Sequence, residues 1–151
     1  MKNLFRAAAL ALALILGAAF LACTGEPEAV DPAAAFERIL NEVTFAAPLE
    51  DETELADYMF GDVPEGTEIR FYAAGGQYAD TAMLFKAPSE ADIPAVRDSA
   101  GAYIASLKEE LRLYHPEEVP KLENAVFHQN GSNLIVVVTE DTETVSSILH
   151  G

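Results

Sequence analysis

The clearest chemistry in the sequence belongs to Cys23, the one cysteine of the chain. Lys2 and Arg6 lie near the start, an uncharged apolar stretch runs over residues 7–22, and polar residues follow the cysteine. A basic start, a short apolar stretch and a small residue at a cut are typical of an export signal. Its 16 residues would span roughly 24 Å as a helix, against about 30 Å of membrane hydrocarbon. We therefore predict that residues 1–22 are a signal peptide that is removed.

The residues at the predicted cut, Phe20-Leu21-Ala22-Cys23, resemble the lipobox of bacterial lipoproteins. Phe20 stands where these signals usually have leucine, and Leu21 where they usually have a small residue. The resemblance implies that the Cys23 sulfur receives a diacylglyceryl group and that cleavage makes Cys23 the N-terminus. Two acyl chains suffice for stable membrane attachment, so the folded part needs no membrane-binding surface of its own. The alternative is an ordinary secretory signal whose end happens to contain a cysteine.

His115 is the histidine with the most chemical neighbours, because Tyr114 precedes it and Glu117 follows two residues later. One interpretation makes Tyr114 and His115 the floor of a small binding pocket, and these two are the candidate binding residues. In the alternative, Tyr114 packs inward, His115 interacts with the negative end of a helix dipole, and Pro116 ends that helix.

Catalytic and metal motifs are not recognisable in the sequence. His115, His128 and His150 do not lie at the four-residue spacing that places two metal ligands on one helix face. The serines lack a Gly-x-Ser-x-Gly elbow, the glycines lack a phosphate-binding context, and the acidic clusters lack calcium-loop spacing. We therefore predict no catalytic residue, no metal ligand and no cofactor.

The charge of the chain limits its partners. Removal of residues 1–22 leaves seven basic residues against 25 acidic ones, a formal charge of −18. Binding to nucleic acid or to anionic headgroups requires clustered Lys and Arg, so both are disfavoured. The absence of a second cysteine also means that no internal disulfide can form, and the domain must be held together by packing.

The patterns of apolar residues predict an α+β domain. Helices are expected from Asp31, as N-cap, through Val43, over residues 52–60 with Leu55, Tyr58 and Met59 inward, over 92–114, and over 142–149. Alternating residues predict one hairpin over 68–74 and 79–86 and a second over 124–128 and 134–139, with Gly75-Gly76 and Asn130-Gly131 as turns. We expect the helices to pack on one side of a four-stranded, mostly antiparallel sheet.

The domain organisation follows from these elements. Residues 1–22 are the predicted lipoprotein-type signal peptide, 23–30 the lipidated cysteine and a short tether, and 31–151 a single α+β domain. The mature length fits one domain with a real hydrophobic core.

The order of these features resembles an uncharacterised lipoprotein family of Gram-positive bacteria. The resemblance covers nearly the whole mature chain and rests on the lipobox-like start, Ala82-Met83-Leu84-Phe85-Lys86-Ala87, Tyr114-His115-Pro116-Glu117, and Leu122-Glu123-Asn124-Ala125 before a valine-rich strand. It implies a small α+β extracytoplasmic domain on a lipidated cysteine. It implies no activity, substrate or catalytic residue, because the family is a domain of unknown function.

The sequence favours a non-catalytic binding or accessory lipoprotein on the extracytoplasmic face of the cell membrane. Its expected partners are membrane lipid, through diacylglyceryl-Cys23, and an envelope protein or small ligand, but not nucleic acid. Two alternatives stay open: a small envelope hydrolase that uses His115 and nearby carboxylates, and a solute- or cation-binding lipoprotein.

Overall fold

The computed structural model describes residues 30–151, so Cys23 and the predicted signal lie outside the described residues. The chain forms one antiparallel sheet of five strands in the order β1-β2-β3-β5-β4. The strands are β1 (Glu50–Asp51), β2 (Glu68–Ala73), β3 (Thr81–Lys86), β4 (Val126–Asn130) and β5 (Asn133–Val138). The α+β class is therefore confirmed, with one strand more than the four expected.

Five α-helices accompany the sheet in the described part of the chain. They are α1 (Pro32–Glu42), α2 (Ala56–Met59), α3 (Ile93–Tyr114), α4 (Val119–Glu123) and α5 (Thr142–His150). Short 3₁₀ turns precede three of them, at Thr53–Leu55, Glu90–Asp92 and Pro116–Glu118. Asp31 caps α1 as expected, because its carboxylate accepts a hydrogen bond from the Ala34 N–H at 2.9 Å.

The helices cover both faces of the sheet, so the expectation that they lie on one side is wrong. The central strands β3 and β5 are buried at almost every position, and alternate residues enter two separate cores. Met83 and Phe85 pack in the core beneath α3, while Ala82 and Leu84 pack in the core beneath α1 and α5. A strand that is apolar on both faces requires a covering layer on each side.

The structure confirms both hairpins that the alternating residues predict. β2 pairs with β3 and β4 pairs with β5, and β3 lies directly beside β5 at the centre of the sheet. The second turn differs slightly from expectation, because Asn130 pairs with Asn133 as the last strand position. Gly131 and Ser132 are then the two turn residues, and Gly131 has the positive φ of 56° that such a tight turn requires.

The segment between α1 and β2 departs most from expectation. Glu50 and Asp51 form the edge strand β1, and the predicted helix over 52–60 is a 3₁₀ turn followed by one turn of α2. Its inward face is also wrong, because Leu55, Tyr58 and Met59 are exposed. The residues buried there are Ala56 and Phe60, and Phe60 makes edge-on contacts with Phe71 and Phe85.

Among residues 30–151, no helix is both long enough and apolar enough to cross a membrane.

Candidate functional site

Tyr114 and His115, the candidate binding residues, lie at the C-terminal end of α3. Tyr114 is 74% exposed, so it does not pack inward on the helix stripe. His115 is half-buried, and its Nδ1 lies 3.4 Å from Oε1 of the exposed Glu117. A hydrogen bond from its own backbone N–H contributes most to lowering the pKa of Glu117, and His115 contributes less. Neither residue lines the hollows described below.

The other two histidines contact each other. The rings of His128 on β4 and His150 on α5 meet edge to face, with centroids 5.3 Å apart. Burial, followed by the charge of His150, lowers the pKa of His128. His128 also borders a gap of about 10 Å³ between α1 and β4, which has room for no more than about one water molecule.

The most distinctive charged group in the described residues is Lys121, whose side chain is bonded between two carboxylates. Its ammonium nitrogen lies 2.7 Å from Oδ2 of Asp80 and 2.9 Å from Oε2 of Glu118. Asp80 is 1% exposed, Lys121 5% and Glu118 8%. Fully buried charges are rare in proteins unless they are paired and hydrogen-bonded, and this arrangement satisfies both conditions.

Backbone N–H groups complete the coordination of the two carboxylates. Glu118 accepts a hydrogen bond from Ala79 N–H at 2.8 Å, and Asp80 accepts one from Ala46 N–H at 3.1 Å. The buried ion cluster, defined as Asp80, Glu118 and Lys121, thus ties together the loop before β3, the loop after α1, and the 3₁₀ turn that leads into α4. These segments are far apart in the sequence.

The protonation of Lys121 decides what the buried ion cluster can do chemically. Burial by itself lowers the pKa of Lys121, but the hydrogen bonds and charges of Asp80 and Glu118 outweigh it and raise the pKa above its ordinary value. The amine is therefore protonated at neutral pH and has no lone pair for nucleophilic attack or for accepting a proton. The group is an internal counter-ion.

A hollow of about 130 Å³ opens beside the buried ion cluster. Its walls include Asp80 and Lys121 on one side and Glu140 and Asp141 on another. Asp141 holds the loop after α1 by accepting a hydrogen bond from Thr44 N–H at 3.0 Å, and this bond contributes most to lowering the pKa of Asp141.

A larger hollow of about 520 Å³ borders the same loop. We call it the apolar trough, and its lining is Leu40, Val43, Phe45, Ala46, Ala47, Pro48, Leu49 and Tyr72. Phe45 and Ala46 border both hollows. The volume lies within the roughly 300–1,000 Å³ of typical ligand pockets, and the side chains that line it are apolar apart from the hydroxyl of Tyr72.

The side chain of Tyr72 brings polar groups to the apolar trough. Its hydroxyl oxygen accepts a hydrogen bond from the Arg70 guanidinium at 3.3 Å, and Arg70 also lies over the rings of Phe36 and Tyr72. Asp51 lies near this end: hydrogen bonds from Thr53 are the main cause of its lowered pKa, with smaller contributions from Tyr72 and Arg70. The trough therefore combines an apolar floor with a charged margin.

Sequence reasoning did not identify the buried ion cluster or the apolar trough. Lys121 and Glu118 are three residues apart, a weak pairing signal, but Asp80 lies 41 residues before Lys121. The trough is built mainly from residues 40–49, where an apolar run around Pro48 follows α1. That run was a usable signal, since apolar residues in a loop require either burial or a partner.

Neither metal-binding geometry in the described residues nor similarity to known proteins assigns a function to these hollows. Among the described residues, no three or more His, Cys, Asp or Glu side chains are arranged to hold a metal ion. Comparison of the chain with family profiles, with curated proteins and with solved structures gave no match.

Proposed function

We propose that the protein is a lipid-anchored binding protein of the extracytoplasmic membrane face, with a non-catalytic or accessory role. Cys23 carries the diacylglyceryl anchor, residues 23–30 form the tether, and the domain over 31–151 presents the apolar trough as its binding surface. The cysteine at the end of an apolar stretch supports the anchor.

The observation that carries the binding role is the contrast between the two hollows. In the smaller one, the single cation is protonated and already bonded to two carboxylates. The larger one offers apolar surface with polar groups at its margin, which suits recognition of a ligand better than bond cleavage. A hydrolase built on His115 has less support, because its neighbouring Glu117 is exposed and the two side chains are 3.4 Å apart.

Cell fractionation tests the anchor in the living cell. We expect the natural protein in the membrane fraction and the Cys23→Ser variant in the medium or the soluble extracytoplasmic fraction, because the variant has no sulfur to acylate. The matched control is Ser106→Ala at an exposed position of α3, which leaves the signal unchanged. Retention of Cys23→Ser in the membrane at the natural level would contradict a lipid anchor.

A further inference from the structure

The apolar trough lies within a long acidic stretch of the chain. Residues 39–69 contain nine Asp and Glu and no Lys, Arg or His. Glu42 immediately precedes the loop that lines the trough, but its carboxylate is already bonded to Arg38 at 2.8 Å. Glu50 and Asp51, which form the edge strand after this loop, make no ion pair within the described residues. The nearest cation in the adjoining strand, Arg70, is already bonded to Glu37 at 2.7 Å.

The same stretch exposes large apolar side chains. Tyr58 is 88% exposed, Leu55 50% and Met59 39%, although all three lie within a few residues of the buried Ala56 and Phe60. Neighbouring exposed apolar side chains rimmed by charges are typical of interaction surfaces. These side chains belong to the α2 turn, whose buried residues pack in the core beneath α3, so they flank β1 on the opposite face of the sheet from the apolar trough.

We infer that the apolar trough binds the apolar side chains of a basic polypeptide segment, whose Lys or Arg residues face the acids around β1. This inference rests on the proposed binding function and specifies the partner. A polypeptide can place apolar side chains against this lining while its charged side chains stay beside Glu50 and Asp51 at the margin.

Charge disfavours the other occupants. A second copy of the mature chain would bring another formal charge of −18, seven basic against 25 acidic residues, and like charges across an interface oppose association. An anionic bilayer surface meets the same repulsion. A basic partner is instead attracted by the negative charge that repels these other occupants.

A peptide titration tests whether the apolar trough is the binding site. The probe is a short fluorescent peptide that alternates lysine and leucine, titrated with the soluble domain over residues 24–151 after its fold has been verified by circular dichroism. Ala47→Trp fills the trough without changing charge, and we expect it to weaken binding about tenfold. The matched control, Ala102→Trp, lies on the exposed side of α3 and should leave affinity within about twofold.

A second pair of variants tests whether the acids near β1 strengthen peptide binding themselves, rather than through the net charge of the whole chain. Glu50→Lys with Glu54→Lys reverses two charges near β1, whereas Asp98→Lys with Glu110→Lys reverses two exposed charges on α3. We expect about a tenfold loss for the first pair and less than about threefold for the second, with the loss reduced at high salt.

Several outcomes would overturn this inference. They are unchanged affinity in Ala47→Trp, equal losses in the two charge-reversal pairs, and equal binding of a control peptide with glutamate in place of lysine. None of these outcomes bears on membrane attachment, which the Cys23→Ser fractionation measures separately. A failed anchor and a wrong partner are therefore distinguishable.

Discussion

At the scale of single residues, Lys121 is the charged side chain whose removal should cost most. Its ammonium compensates Asp80 and Glu118, both almost fully buried. Removing one partner of a buried ion pair leaves uncompensated charge and typically costs about 3–5 kcal/mol. We expect Lys121→Met to lower the free energy of unfolding by about that amount, as measured by urea denaturation at neutral pH.

The pH dependence of this variant distinguishes lost charge from lost packing. Without Lys121, two adjacent buried carboxylates repel each other, and a proton bound by either one relieves this repulsion. Proton uptake by the folded state stabilises it as the pH falls. The deficit of Lys121→Met should therefore shrink between pH 7 and pH 5, and a deficit independent of pH would show that packing alone was lost.

His128 supplies a second residue-scale prediction. Its pKa is lowered by burial and by the charge of His150, so the unfolded chain binds a proton more readily than the folded one. The stability of the natural protein should then fall as the pH drops below the ordinary histidine value of about 6.5, with no such contribution above it.

The variant His128→Gln isolates this effect. It removes the titrating ring, so the free energy of unfolding should decline less steeply from pH 7 to pH 5 than in the natural protein. His115→Gln is the matched control at a histidine that touches neither ring of the pair. An identical decline in His128→Gln and the natural protein would refute the assignment.

The buried ion cluster could not be predicted from residue types alone. Asp80 precedes β3 on the same alternation as Ala82 and Leu84, so its direction could be predicted but its partner could not. The pairing depends on the crossing of α4 and the loop before β3, and no local pattern encodes a contact over 41 residues.

At the scale of elements, one buried and one exposed aromatic residue in and beside the short α2 turn allow its packing to be tested. Phe60 is 1% exposed and contacts three aromatic rings, whereas Tyr58 two residues earlier is almost fully exposed. We expect Phe60→Ala to cost about 3–5 kcal/mol of unfolding free energy, and Tyr58→Ala to change it by less than about 0.5 kcal/mol. Comparable losses in both variants, by thermal or urea unfolding, would contradict the packing of α2.

The elements that could be predicted are those with a long and regular pattern. The alternation around Phe71 and Phe85 predicted the first hairpin. The apolar stripe predicted a helix over 92–114, which begins one residue before α3 and ends at the same residue. The α2 segment failed because a stripe of Leu55, Tyr58 and Met59 assumes a full α-helix, whereas a 3₁₀ turn followed by four helical residues rotates a different set inward. β1 is only two exposed residues long and leaves no periodic signal.

At the scale of the whole molecule, the α+β class followed from the order of helices and hairpins, but the layering did not. Expecting helices on one face overlooked the consequence of β5, in which Leu134 to Val138 are apolar at every position. Two apolar faces demand two covering layers, which α3 supplies on one side and α1 with α5 on the other. The two central strands are therefore buried on both faces, while β2 and β4 beside them are only partly covered.

The most direct test of the account is the mass of the N-terminal fragment of the protein isolated from its own membranes. We predict a fragment that begins at Cys23 and carries a diacylglyceryl group on sulfur, with residues 1–22 absent. A chain that still begins at Met1, or one cut at another residue with an unmodified cysteine, would contradict the lipid anchor at the centre of the proposed function.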